Sequence, residues 1–167
     1  MTPLSIVYRP YTPGDLDALL QLNADSVAVL SPLDGHGLQR LLAMAEFSTV
    51  AVGPEGLVGF LLALGDGQAY ASVNYRWYAR RFKRFLYIDR VVVAPGWRGA
   101  GVGRQFYSLA EGHALAAELA WLVCEVDIEP PNEASLAFHE RLGFVEVGRQ
   151  VAGGGGKVVS LRARRIA

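Results

Sequence analysis

Residues 91–104 read VVVAPGWRGAGVGR, in which three valines lead into a glycine-rich turn. The β-branched run favours a strand, and the apolar spacing after the turn favours a helix. A turn of this kind aims successive backbone N–H groups and the positive end of the helix at an anion. Its glycines let the backbone approach phosphates closely, and Arg98 and Arg104 add charged donors. The segment therefore predicts a phosphate site; the alternative is a plain strand-to-helix turn whose glycines serve packing.

Two other phosphate-binding motifs fit this segment poorly. A P-loop requires Gly-x-x-x-x-Gly-Lys-Ser/Thr, and neither lysine nor a hydroxyl residue follows Gly103. A dinucleotide fingerprint that starts at Gly99 would need its third glycine where Arg104 stands. The spacing thus argues against both.

The pattern around this segment predicts an α/β fold, with a mixed, mostly antiparallel central sheet flanked by helices. Strands at residues 85–93 and 121–128, with a helix at 101–119 between them, form a parallel crossover unit. The other predicted strands span residues 5–9, 47–52, 57–64, 144–151 and 157–163, and the other helices span 16–27, 38–45 and 133–142. Residues 65–84 are long for a connection, so they form a functional loop or contain a short helix. The glycines at 153–156 are typical of a flexible hairpin loop.

The composition indicates one folded domain over residues 1–167. Hydrophobic residues make up 51% of the chain and charged residues 19%, which supports a large core. Sixteen Lys and Arg balance sixteen Asp and Glu, and this argues against a nonspecific nucleic-acid coat. The balance conceals segregation, because residues 76–104 carry a net charge of +7 between acidic flanks.

Cysteine usage and the sequence ends predict a cytoplasmic protein without a metal. Cys124 is the one cysteine, so no intramolecular disulfide forms. The three histidines, His36, His113 and His139, lack metal-ligand spacing. No charged and apolar leader opens the chain, and no run of about 18 apolar residues occurs, so we expect neither export nor a membrane span.

Two segments resemble the GNAT N-acetyltransferase superfamily. Arg98-x-x-Gly101-x-Gly103, preceded by Val91-x-Val93-x-Pro95, looks like its acetyl-CoA signature. Residues 132–144, NEASLAFHERLGF, are similar to its second signature segment. The element order also agrees, so the resemblance covers essentially the whole chain. It implies acetyl-CoA as acetyl donor, lying in a cleft where two neighbouring parallel strands splay apart.

The resemblance also implies which residues hold acetyl-CoA. Backbone groups of Val91 and Val93 would pair with the pantetheine arm, and an N–H near Val92 or Val93 would face the developing oxyanion. Asn132, Ser135 and Phe138 would flank the thiol end. The pyrophosphate would be held by the amides of the glycine turn, at Arg98, Gly99, Ala100, Gly101, Val102, Gly103 and Arg104.

Acetyl transfer to an amine needs a base for the nucleophile and an acid or water for the leaving thiolate. Asp89 shares a strand face with Tyr87 and is the first candidate base; an ion pair with Arg90 is the alternative. Glu125 and Asp127 share a face of the next strand, which points either into the cleft or to solvent. If into the cleft, their mutual repulsion would raise one pKa towards that of a useful base.

His139 departs from the family pattern, since many members have tyrosine at this position. An imidazole titrates near neutrality and could donate the proton, although a structural histidine is the alternative. Tyr87 is a second candidate acid, and transfer without a dedicated acid is a third reading.

Residues 75–85, YRWYARRFKRF, alternate aromatic and basic side chains and are named here the basic aromatic segment. One hypothesis is a lid in which Arg76, Trp77 and Arg80 bind an acidic group of the acceptor. A nucleic-acid patch is a second hypothesis. The third is a packed amphipathic helix with solvated arginines, or a dimer contact.

We expect an acetyl-CoA-dependent N-acetyltransferase that acts directly on a primary amine of a small metabolite. The alternatives are protein or peptide amines, or a noncatalytic acyl-CoA-binding or sensing module. We expect the protein to bind neither nucleic acid nor membranes. The sequence leaves undecided whether it forms a homodimer, as many relatives do.

Overall fold

The computed structural model describes residues 5–26, 33–152 and 156–167. Within them lie seven strands and five α-helices. The strands are β1 (Val7–Arg9), β2 (Phe47–Gly53), β3 (Gly56–Gly65), β4 (Phe85–Val93), β5 (Trp121–Glu129), β6 (Val145–Val151) and β7 (Val158–Arg165). The helices are α1 (Leu16–Asp25), α2 (Gly35–Met44), α3 (Val73–Ala79), α4 (Val102–Ala116) and α5 (Glu133–Arg141). The predicted helix end at Val27 and most of the predicted glycine loop, residues 153–155, lie outside the described residues.

The strands form one sheet in the order β1-β2-β3-β4-β5-β7-β6. β4 and β5 are parallel, as the intervening α4 predicts, and the pairs β1–β2, β2–β3, β5–β7 and β6–β7 are antiparallel. The β4–β5 register joins Phe85–Tyr87 to Trp121–Val123, while β4 continues to Val93 and β5 to Glu129. The predicted mixed α/β fold is confirmed.

The chain divides into two compact units. The first unit contains residues 5–26, 33–64 and 89–110 of the described chain, and its core includes Leu19, Leu38, Phe60, Val92 and Phe106. The second unit contains residues 65–88, 111–152 and 156–167, and its core includes Tyr75, Tyr78, Phe85, Leu122 and Leu161.

The connection at residues 65–84 contains the short helix that is one of the two alternatives predicted from the sequence, whereas β7 differs from the sequence pattern. The short helix is α3, whose N-cap Ser72 accepts a hydrogen bond from the Tyr75 N–H. The alternation in β7 suggests a polar face, yet Ser160 and Arg162 are buried. Both are accommodated by hydrogen bonds, because Ser160 donates to Glu146 and receives a bond from Arg162. None of the described helices has the length and apolar character needed to cross a membrane.

Candidate active site

The glycine turn lies in the first unit, between β4 and α4. Gly99 has φ +80° and Gly101 has φ +85°, a left-handed conformation that side-chain-bearing residues rarely adopt. A Cβ at either position would meet nothing within 4 Å. Glycine is therefore required here by backbone conformation, and the open space around both residues leaves the turn accessible.

The turn ends at the first residue of α4, Val102, which is buried and anchors the helix. The first helical bond runs from the Gln105 N–H to the Gly101 carbonyl at 3.0 Å. The N–H groups of residues 102–104 precede that bond and so have no acceptor within the helix. Arg98 and Arg104 are exposed beside them and form no ion pair within the described chain. This arrangement suits a phosphate group.

Two glycines outside the predicted motifs fix the start of the turn. A Cβ on Gly59 would lie 2.5 Å from the Val92 carbonyl oxygen, so β3 accepts only glycine there. A Cβ on Gly53 would lie 3.2 Å from the Trp97 ring. The Ala94 N–H also donates to the Val58 carbonyl at 2.8 Å. The sequence signal that could have identified Gly59 is a glycine within a run of strand-forming residues, which often marks a place where another part of the backbone comes close.

The β4 residues assigned to the pantetheine arm alternate in burial. Val92 is buried, whereas Val91 and Val93 are partly exposed. The alternation follows from the strand, in which successive side chains point to opposite faces of the sheet. Their role toward the cofactor stays a prediction.

Asp89 is ion-paired in the first unit. Its carboxylate accepts a bond from the Arg90 Nε at 3.1 Å, and both side chains are only 5% exposed. Arg90 also donates from Nη1 to the Asn23 side chain at 2.9 Å. The ion pair with Arg90 that the sequence left as an alternative is thus present, and a role for Asp89 as base stays a prediction.

Tyr87 and Glu125 meet in the second unit. The Tyr87 hydroxyl lies 2.8 and 2.7 Å from the two carboxylate oxygens of Glu125 and donates to the carboxylate. Asp127, two residues further along β5, accepts a bond from the Lys157 ammonium at 3.2 Å. The two carboxylates share a face as predicted, but each has its own partner. The structure therefore brings together two of the predicted catalytic residues, Tyr87 and Glu125.

The second signature segment forms α5. Asn132 caps the helix, with its side-chain oxygen accepting from the Ser135 N–H at 3.2 Å. His139 is buried, and its Nδ1 lies 2.7 Å from the Ser135 carbonyl. A carbonyl can only accept, so Nδ1 carries the proton. Phe138 stands edge-on to the His139 ring at 5.3 Å.

This environment favours a neutral His139. Burial lowers the pKa of the imidazole, which opposes the protonated form that a proton donor needs. The geometry supports the structural reading of His139, and its role as acid stays a prediction.

The basic aromatic segment begins with a packed helix. Tyr75 and Tyr78 are fully buried, and the Trp77 ring packs against the backbone of Gly148, where a Cβ would lie 2.6 Å from the indole. Arg81 stacks over Trp77 at 4.2 Å. Arg76 and Arg80 are exposed. The aromatic residues thus pack as in an amphipathic helix, and the substrate contacts assigned to Arg76, Trp77 and Arg80 stay predictions.

Comparisons with known proteins identify a family from the sequence and related folds among solved structures. A family model described as the acetyltransferase (GNAT) family matches residues 20–144. No protein in the curated set matches the sequence. Among solved structures, Ard1 from Thermoplasma volcanium has a TM-score of 0.81 at 16% identity, covering 98% of this chain and 99% of that one. The putative acetyltransferase yncA from Salmonella typhimurium, solved with acetyl-CoA, has a TM-score of 0.73 at 17% identity, covering 98% and 95%. NAA60 from Arabidopsis thaliana, solved with a bisubstrate analogue, has a TM-score of 0.76 at 18% identity, covering 96% and 98%.

Proposed function

The chain belongs to the acetyltransferase (GNAT) family, and from that premise we propose that it transfers an acetyl group directly from acetyl-CoA to the primary amine of a small metabolite. The observation that carries this proposal is the hydrogen-bonded pair of Tyr87 and Glu125, because it supplies an oriented carboxylate for the amine. Acetyl-CoA, when bound, supplies the thioester whose acyl group is transferred.

The glycine turn fits the pyrophosphate of acetyl-CoA. Its positive-φ glycines leave the backbone open, and the first N–H groups of α4 have no helical acceptor. Arg98 and Arg104 supply charge at the same turn. The residues assigned to the pantetheine arm and thiol end, on β4 and α5, are carried over from the family resemblance.

Glu125 is the base in this proposal. A protonated amine approaching the carboxylate would give up one proton to a Glu125 oxygen, which frees the nitrogen lone pair for attack on the thioester carbonyl. The new N–C bond replaces the thioester C–S bond, and the second amine proton passes to the departing CoA thiolate, directly or through water. Tyr87 holds that carboxylate in one orientation by its hydroxyl bond. Glu125 is preferred to Asp89 because the Asp89 carboxylate is already buried against the Arg90 guanidinium.

A screen of amines tests the proposed class of acceptor. Purified protein would be incubated with acetyl-CoA and a panel containing a polyamine, an amino sugar, acidic and neutral amino acids, and a peptide with a free N-terminus. Release of free CoA thiol is then measured for each. We expect the highest rate with a small amine, and one carrying an acidic group if Arg76 and Arg80 contact the acceptor. A higher rate with the peptide than with any small amine would replace the proposed acceptor class. If acetyl-CoA binds but no amine of the panel causes release of CoA thiol, a noncatalytic sensing module would be favoured.

A further inference from the structure

Tyr78 carries a buried hydroxyl that none of the roles above uses. Its side chain has no solvent exposure, and its hydroxyl lies 2.6 Å from the Cys124 carbonyl and 3.1 Å from the Arg162 carbonyl. Burial raises the pKa of this hydroxyl, so it keeps its proton and acts as the donor to both. The hydroxyl therefore ties α3 to the backbones of β5 and β7.

The point of attachment adjoins the proposed base. Cys124 directly precedes Glu125, and it pairs with Arg162 across the β5–β7 ladder. The bond from Tyr78 thus fixes the β5 backbone one residue from the carboxylate. A buried hydrogen bond to a carbonyl restricts the backbone more than packing alone, because breaking it leaves a polar group unsatisfied.

The ring of Tyr78 reaches the other member of the pair. Its centroid lies 5.9 Å from that of Tyr87, whose hydroxyl bonds Glu125. Tyr78 consequently contacts the backbone next to Glu125 and the ring of Tyr87.

α3 is held on the sheet at two further places. Trp77 packs on Gly148, and the Gln150 side chain donates to the Asn74 oxygen at 2.6 Å. The helix that carries Tyr78 is therefore fixed relative to β6 as well as to β5 and β7.

We propose that Tyr78 is a positioning residue that orients Glu125 for proton transfer. The proposal rests on the proposed function, in which Glu125 is the base. The proposal gives the basic aromatic segment a role that does not depend on its arginines. Tyr78, on a helix held against the sheet, sets the geometry of the Tyr87–Glu125 pair.

Tyr75 provides a matched control on the same helix. It is equally buried, and its ring lies 5.5 Å from that of Tyr87. Its hydroxyl, however, donates to the Gly65 carbonyl at 2.7 Å, away from β5. Tyr75→Phe and Tyr78→Phe each remove one buried hydroxyl, but only the second removes a bond beside Glu125.

The test combines kinetics with a direct probe of the carboxylate. Acetyl transfer to the best acceptor of the amine panel is measured for Tyr75→Phe, Tyr78→Phe, Glu125→Gln and the double variant Tyr78→Phe/Glu125→Gln. We expect Tyr78→Phe to lower kcat roughly tenfold with KM nearly unchanged, and Tyr75→Phe to change kcat less than about twofold. In the Glu125→Gln background the Tyr78 effect should vanish, because it acts through that carboxylate.

The second readout needs no acceptor. The Cδ resonance of Glu125, in protein labelled with ¹³C at glutamate and assigned through Glu125→Gln, should move in Tyr78→Phe and stay in place in Tyr75→Phe. Equal effects of the two tyrosine variants on kcat and on the resonance would overturn the proposal. An unchanged kcat in Glu125→Gln would instead overturn the assignment of the base, and the resonance would then decide the positioning role alone.

Discussion

The Tyr87 hydroxyl bonds the Glu125 carboxylate across the parallel β4–β5 pair, at 2.8 and 2.7 Å from its two oxygens. Tyr87 is paired in register with Val123, so its side chain and that of Glu125, two residues further on, rise from the same face of the sheet. The register of the two strands thus brings both side chains within hydrogen-bonding distance.

Removing either partner is expected to reduce turnover. Glu125→Gln should lower kcat at least about a hundredfold because the base is lost, and Tyr87→Phe about tenfold because the carboxylate loses its orientation. Steady-state release of CoA thiol measures both. The control is Asp127→Asn, on the same face but bonded to Lys157. A loss in Asp127→Asn as large as that in Glu125→Gln would show a general effect of charge on this face.

Gly101 is expected to be essential for acetyl-CoA binding. Gly101→Val places a β-branched side chain at φ +85°, which distorts the turn and closes its open backbone. Affinity measured by calorimetry should fall at least about tenfold, while the far-UV circular dichroism stays that of the wild type, since a strain of ~1–3 kcal/mol is the expected cost. Gly96→Ala is the control, because Gly96 lies in the same segment without a positive φ and with open space at its Cβ. Unchanged affinity in Gly101→Val would remove the assignment of the turn to the pyrophosphate.

The glycine turn could be predicted from sequence because its signal is local. Gly99 and Gly101 stand at the two left-handed positions between a β-branched run and a helix, and such positions demand glycine wherever the chain places them. Strand alternation likewise predicted that Glu125 and Asp127 share a face. These features depend on neighbours within a few residues.

Other parts of the site depend on contacts between distant residues. Arg90 bonds Asn23, 67 residues away, and Tyr78 bonds the Cys124 carbonyl, 46 residues away. The sequence of the basic aromatic segment left a lid, a nucleic-acid patch and a packed amphipathic helix open, and Tyr75 and Tyr78 are fully buried, as in the packed helix. A short helix of mixed polarity has too few turns for its periodicity to decide among these three readings, so the fold is needed to choose between them.

His139 predicts a specific pH dependence of stability. Burial lowers its pKa in the folded state, so below its ordinary value of 6.5 the unfolded chain binds more protons than the folded one. The contribution to the free energy of unfolding is complete above pH 6.5 and is lost as the pH falls from there toward the folded-state pKa. The free energy of unfolding, measured by denaturant titration at several pH values in this window, should change less steeply with pH in His139→Gln than in the wild type. The control is His36→Gln, which removes an exposed imidazole; equal slopes in all three proteins would contradict the neutral, buried His139.

The contact between Trp77 and Gly148 predicts that a side chain at position 148 lowers the free energy of unfolding. Gly112, which has open space around it in α4, is the control and should respond in the opposite direction. Gly148→Val would force its side chain into an indole that already stands 2.6 Å from the position of a Cβ, so α3 must shift from β6. The free energy of unfolding should fall by about 1–3 kcal/mol, as for other overpacked sites. Gly112→Ala, within α4 and with nothing within 4 Å of the new Cβ, should raise it by about 0.5–1 kcal/mol through helix propensity. Urea denaturation followed by circular dichroism measures both. If Gly148→Val is as stable as the wild type, α3 does not lie against β6 in solution, and the support it gives to Tyr78 fails with it.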